Sequence, residues 1–296
     1  MTGSEITASY FPAPNLKKKP NSPRTLFSTF MSGVAVFCAV LALIPLFAVL
    51  FYVLFKGVTT LSPALFVNLP PAPLVKGGGF GNAFVGTLLT VGIASAISIP
   101  FGVLAAIFLA EFARDTKLAY WINFFTNVLS GVPSIVIGTF AYALVVLATG
   151  TFSAVAAGVA LAVLMLPTIV RTAAEALEAI PRDYRQAAIG LGATRIQTTL
   201  GVVLPAAVPA IITGVMLAIA RAAGETAPVL FTALFNQYWN RTVWEPTATL
   251  SMLVYNFATV PYKNQQNLAW AASLVLMALV MITSILARTI TRRRKR

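Results

Sequence analysis

The chain has no histidine and a single cysteine, Cys38, among its 296 residues. The first absence removes histidine proton relays and imidazole metal sites, and the second removes any intramolecular disulfide. Charge is also scarce, at 10% of residues against roughly a quarter in a soluble domain. Acidic residues are scarcest: eight stand against 21 Lys and Arg, for a net charge of +13. No G-x-x-x-x-G-K-[ST] phosphate cradle is present. The cluster Gly77-Gly78-Gly79-Phe80-Gly81 lacks its lysine and hydroxyl and reads as a flexible hinge. What remains is apolar, at 58% hydrophobic residues, and it falls in long runs. Runs of roughly 20 apolar residues are the signature of transmembrane helices, so the class is an all-α integral membrane protein.

Six segments are long enough to span, near 28–55, 83–110, 121–148, 152–170, 206–235 and 267–287. They predict a transmembrane domain over 26–288, with a basic, Pro-broken disordered tail at 1–25 and a basic tail at 289–296. The run that opens this domain is too long for a signal-peptide core and reads as a retained anchor. All Lys and Arg except Lys56, Lys76, Arg221, Arg241 and Lys263 lie in the two tails, at Arg288 just before the second, or in the 111–120 and 171–204 loops. The positive-inside rule then places both termini in the cytoplasm. A basic tail so placed fits anionic membrane lipid, not nucleic acid.

One charged pair breaks the pattern. Arg221 and Glu225 lie four residues apart within an apolar run from Val208 to Phe235. An ionised side chain at the centre of a span costs about 2.5–3.5 kcal/mol on insertion scales, and such residues mark solute paths. Spacing i, i+4 predicts one helical face, on which each charge offsets the other; the alternative is a helix-packing ion pair. Arginine offers an anion a planar bidentate fork, and Glu225 would neutralise it when the path is empty. Gly224 and Pro228 bracket Glu225, and Pro228 is expected to kink the span by removing the bond to the Gly224 carbonyl. In the third span Asn123, Asn127, Ser130 and Ser134 fall on one predicted face, loosened by Gly131 and Pro133. That face suits either helix packing or path lining. A second i, i+4 pair, Arg171 and Glu175, stands at the inner end of the fourth span, as a gate, a coupling contact or a plain salt bridge.

The 171–204 loop is built around a short helix. Pro181 suits its first position and Gly190 and Gly192 its end, while Thr194-x-x-Gln197 reads as a capping box for the next helix. Gln186-Ala187-Ala188, then Gly192, then Val202-x-Leu204-Pro205 resemble the EAA loop of ABC importer permeases. That pattern is E-A-A, three residues, G, nine residues, I-x-L-P. Gln186 stands where the family has glutamate and Val202 where it has isoleucine. The stretch Leu217 to Thr232, with Ala220-Arg221-Ala222-Ala223-Gly224-Glu225-Thr226-Ala227-Pro228, resembles the ARxxGETAPLLFT signature of the A-type phosphate permeases, the PstA family. Gly131-Val132-Pro133-Ser134 and the Gly78-to-Thr87 stretch fit the same family, and the likeness runs from about residue 30 to 290.

This resemblance implies the type I ABC importer permease fold, with Arg221, Glu225 and Thr226 on the substrate path. It implies that Gln186, Ala187, Ala188, Gly192, Leu204 and Pro205 serve coupling to an ATPase. It further implies a non-catalytic subunit in the cell membrane with no cofactor of its own, ATP and Mg being bound by a partner ATPase dimer. The remaining implied partners are a second permease, an extracytoplasmic phosphate-binding protein and inorganic phosphate. A permease for sulfate or molybdate, and a secondary anion transporter or channel, are the competing expectations.

Overall fold

A computed structural model of the chain describes residues 23–113 and 116–293, and all regular structure among them is helical. The expected tail at 1–25 falls almost wholly outside these residues, as does the end of the 289–296 tail. Residues from Val53 onward form one compact unit. The described residues before it belong to a single helix, α1, Pro23–Thr60.

The further helices are α2, Gly81–Phe112; α3, Lys117–Gly131; α4, Ser134–Thr149; α5, Ala154–Glu178; and α6, Arg182–Gly190. Then follow α7, Arg195–Gly224; α8, Ala227–Thr232; α9, Leu250–Ala258; and α10, Lys263–Arg293. Among the described residues α1, α2, α5, α7 and α10 are long and apolar enough to cross a membrane. The α3–α4 pair passes the same test only when taken together, and it is bent by 106°.

The core is made by α5, whose apolar window is the most buried of any spanning helix, packed chiefly along α2 and then along α7. Small residues bring these backbones together, as membrane helices require where no hydrophobic force separates protein from lipid. A methyl at Gly102 would sit 2.7 Å from Ile169 Cγ2, and one at Gly214 would run into Thr172. Three single π turns, Phe108–Phe112, Tyr142–Val146 and Thr199–Val203, interrupt α2, α4 and α7.

Several expectations need correction. The 121–148 segment is not one straight span: it stops at Gly131 and restarts at Ser134. Pro133 pushes Val132 into extended backbone, at φ −71° and ψ 129°. Ser134 therefore opens α4 and does not share a face with Asn123, Asn127 and Ser130. The 206–235 segment is likewise two helices, α7 and α8. The 171–204 loop begins inside α5, which continues to Glu178. Its short helix is Arg182–Gly190, with Pro181 as the N-cap, and Gly192 turns the chain at φ +87°. Thr194 and Gln197 form the expected capping box at the start of α7.

The glycine cluster is a packed corner and not a hinge. Phe80 is fully buried, its N–H donates to Leu65 O at 2.8 Å, and the Gly79 N–H donates to Leu69 O at 2.9 Å. A side chain at Gly81 would strike the Phe66 carbonyl. Toward the other end of the chain α9 is also packed, with Leu250, Met252, Leu253 and Phe257 buried.

Candidate functional site

The site forms where α7 stops. Its helix ends at Gly224, and Glu225 leaves it in extended backbone at φ −71° and ψ 127°. Pro228 falls in the first turn of α8, where a missing N–H costs nothing. It thus starts a helix instead of kinking one, and is itself buried. The opened chain is held from α9: Ser251 Oγ donates to the Glu225 carbonyl at 3.1 Å. The opened backbone is thus satisfied by protein, as irregular chain in a membrane protein requires.

Arg221 occupies the last turn of α7, where a cation suits the helix dipole. Its Nε meets Glu225 Oε1 at 3.4 Å, and its side chain is 56% exposed against 19% for Glu225. The two therefore touch, but not from one helical face, because Glu225 has already left the helix. This single long contact leaves the Nη groups of Arg221 without a partner among the described residues. Thr226 follows as the N-cap of α8, and its hydroxyl caps nothing.

Below Arg221 the exposed face of α7 runs through Leu217, Thr213, Ala210 and Ala206 at helical spacing. A cavity of about 320 Å³ abuts this face, lined on its other sides by Thr172 of α5 and Ser284 of α10. Arg171 and Glu175 lie on α5, joined at 3.1 Å, with both side chains about two-thirds exposed. They belong to the helix itself and not to a loop. Asn123, Asn127 and Ser130 are exposed on α3, with Ser130 Oγ donating to Thr126 O. The structure reports no contact between them and Arg221.

On α6, Gln186 and Ala187 are exposed and Ala188 is half-buried. Around them Tyr184 and Ile189 are exposed by more than half, and Leu191 by 90%. Gly192 and Pro205 are exposed, and Leu204 is half-buried. Sequence reasoning missed one residue pair here. Arg185 of α6 turns inward to Glu111 in the π turn of α2, with 14% and 7% of their side chains exposed. The only signal in the sequence was an acid at the end of an apolar run.

Bundled apolar helices, one broken span, a spanning helix that ends at a charged pair and an exposed amphipathic helix define a polytopic membrane protein. The comparisons narrow this class. A profile for "Binding-protein-dependent transport system inner membrane component" matches residues 98–296. The chain is 41% identical over 247 residues to the phosphate transport system permease protein PstA of Yersinia pestis, covering 83% of this chain and 84% of that one. It is 38% identical over 272 residues to the PstA of Haemophilus influenzae, covering 92% and 96%. Among solved structures it resembles an inward-facing MetNI methionine ABC transporter, with a TM-score of 0.58 at 21% identity, covering 73% of this chain and 94% of that one. The chain belongs to the family of binding-protein-dependent transport system inner membrane components, among the PstA-type permeases.

Proposed function

We propose that this chain is the membrane-spanning permease subunit of an ATP-driven importer of inorganic phosphate. It forms half of the translocation path, and a second permease of similar fold forms the other half. The observation that carries the reading is Arg221: a guanidinium at a helix break, more than half exposed and held by one contact of 3.4 Å. Phosphate is strongly hydrated, so its carrier needs a cation and donors that replace water briefly. Arg221 presents free donors for that purpose. Glu225 competes for them, which keeps the anion from being trapped. The Thr226 hydroxyl adds a donor beside them. Asn127, Ser130, Ser134, Arg171 and Glu175 are lesser candidates for the path, and the breaks at Gly131–Pro133 and Gly224–Pro228 open it.

The α6 helix is the coupling element. Its exposed apolar side chains, with Gln186, Ala187 and Ala188 among them, suit a groove on an ATPase subunit. Gly192 turns the chain, and Leu204 and Pro205 set the lower part of α7. Both termini then lie in the cytoplasm. The chain performs no chemistry itself; ATP and Mg are bound by an ATPase dimer, and an extracytoplasmic phosphate-binding protein delivers the anion. The names of its relatives support the cargo.

Reconstitution of the whole complex in proteoliposomes tests this. ATP-dependent uptake of labelled phosphate is expected, and at limiting phosphate it is expected to fall steeply in Arg221→Gln while the ATPase subunits stay bound. ATP-dependent uptake of labelled sulfate or molybdate, with labelled phosphate not carried, would move the cargo to another oxyanion. Uptake that persists without ATP or an ATPase subunit would make the chain a secondary transporter or channel.

A further inference from the structure

The two arginines Arg221 and Arg185 are held in opposite ways. Arg221 has one long contact and faces outward, whereas Arg185 is almost saturated and faces inward. Its Nε donates to Glu111 Oε1 and Oε2 at 3.2 and 3.1 Å, and its Nη2 also bonds Oε1. The same Nη2 reaches the Leu177 carbonyl at 2.8 Å, and Nη1 reaches the Ile180 carbonyl at 2.6 Å. Leu177 belongs to the last turn of α5, where its carbonyl accepts a turn bond from the Ile180 N–H at 3.3 Å and a cation suits the helix dipole. One guanidinium therefore joins the middle of α6 to the ends of α2 and α5.

These are the only side-chain hydrogen bonds that leave α6 among the described residues. Glu111 is aimed at Arg185 from a π turn, an irregularity frequent at functional positions. The next residue of that turn, Phe112, receives Arg195 from the start of α7, with the guanidinium carbon 5.6 Å from the ring centre. By contrast, the covalent link from α6 to α7 passes through Gly190 and Gly192, which have no side chains and no neighbour within 4 Å of where one would stand. That link is turned by backbone bonds from Leu191, Gly192 and Ala193 onto α6 itself, whereas the ion pair reaches across to α2 and α5.

We propose that Glu111 and Arg185 form a strut that carries displacement of α6 into the α2–α5 pair, and so ties ATPase motion to opening of the path. The proposal rests on the importer reading above. Glu111 and Arg185 are positioning residues in this scheme: neither meets the cargo. A push on α6 reaches α2 through Glu111 and α5 through Leu177. Since α5 packs against α7 at Thr172 and Gly214, the movement continues toward Arg221. A buried ion pair contributes little net stability compared with an apolar pair, but removing one partner strands the other. A rigid, directional link is a use that fits its geometry.

The test uses the complete transporter in proteoliposomes, with cargo moved per ATP hydrolysed as the readout. The wild type is first offered phosphate, sulfate and molybdate, and the variants are then run with whichever it carries. A wrong cargo thus shows in the wild type, and a wrong strut shows only in the variants. Glu111→Gln and Arg185→Gln are expected to keep the ATPase subunits and go on hydrolysing ATP, while cargo per ATP falls about tenfold or more. Arg185→Lys, which keeps the charge but loses the fork, is expected to lie between. In a Cys38→Ser background, Glu111→Cys with Arg185→Cys, bridged by a bifunctional thiol reagent, is expected to regain at least half the wild-type ratio. The strut is overturned if the Gln variants keep that ratio, if they lose the ATPase subunits altogether, or if the bridged double variant stays uncoupled.

Discussion

Gly214 of α7 lies directly against Thr172 of α5, so that a side chain at 214 would overlap the threonine hydroxyl. The contact sits seven residues before Arg221, about 10 Å along the helix axis. It fixes how closely the arginine's helix approaches the core. Gly214→Val is expected to destabilise the protein by about 1–3 kcal/mol through overpacking, and Gly214→Ala by less. Gly131→Ala, at a position with nothing within 4 Å, is expected to be near neutral. Thermal unfolding of the purified chain in detergent separates the three.

Thr87 offers a second stability test that isolates one hydrogen bond. It is 2% exposed, and its hydroxyl accepts from the fully buried Leu250 N–H at 2.8 Å while donating to Ala83 O. Thr87→Val keeps the shape and orphans that donor, at a cost of about 1–3 kcal/mol. Thr87→Ser is expected to recover most of the loss. If valine unfolds no earlier than serine on heating, the Leu250 amide has found another acceptor.

At the path, Arg221 and Glu225 are expected to act in opposite senses. Charge-assisted bonds to an anion contribute about 1.5–3 kcal/mol, so Arg221→Gln is expected to lower uptake at limiting phosphate by about 10–100-fold. Glu225→Gln removes the competitor instead. It is expected to lower both the half-saturating phosphate concentration and the maximal rate. The concentration dependence of uptake decides the point, and a raised half-saturation in Glu225→Gln would refute the competitor role.

The coupling face is tested by placing charge where apolar contact is proposed. Ile189 and Leu191 are 55% and 90% exposed, so Ile189→Asp and Leu191→Asp are not expected to disturb folding. They are expected to weaken ATPase association by about tenfold or more, as loss of an interface anchor does. The amount of ATPase subunit retained on affinity purification measures this. Full retention by both variants would place the docking surface elsewhere.

Much of this arrangement was legible in the sequence because it rests on local rules. The α6 helix could be bounded to within a residue from Pro181 and Gly190, and the Thr194–Gln197 capping box needs only a three-residue spacing. Hydropathy, however, reports length and not direction. It joined Lys117–Gly131 to Ser134–Thr149, and it ran α7 into α8 across Glu225. The Arg221–Glu225 contact was anticipated from helical spacing, yet it survives with Glu225 outside the helix. Glu111 and Arg185 stand 74 positions apart, and no periodicity links them. Their pairing follows from how α2, α5 and α6 converge, which is a property of packing.

The 106° bend between α3 and α4 bears on how the chain enters a membrane. Each half is shorter than the roughly 20 residues that a helix needs to cross hydrocarbon by itself. Neither is therefore a self-sufficient insertion signal. α4 packs on α5 and α8, which are made later. Its stable placement must wait until α5, the chain's most buried span, has left the ribosome. The broken span is thus completed by helices that follow it in the sequence.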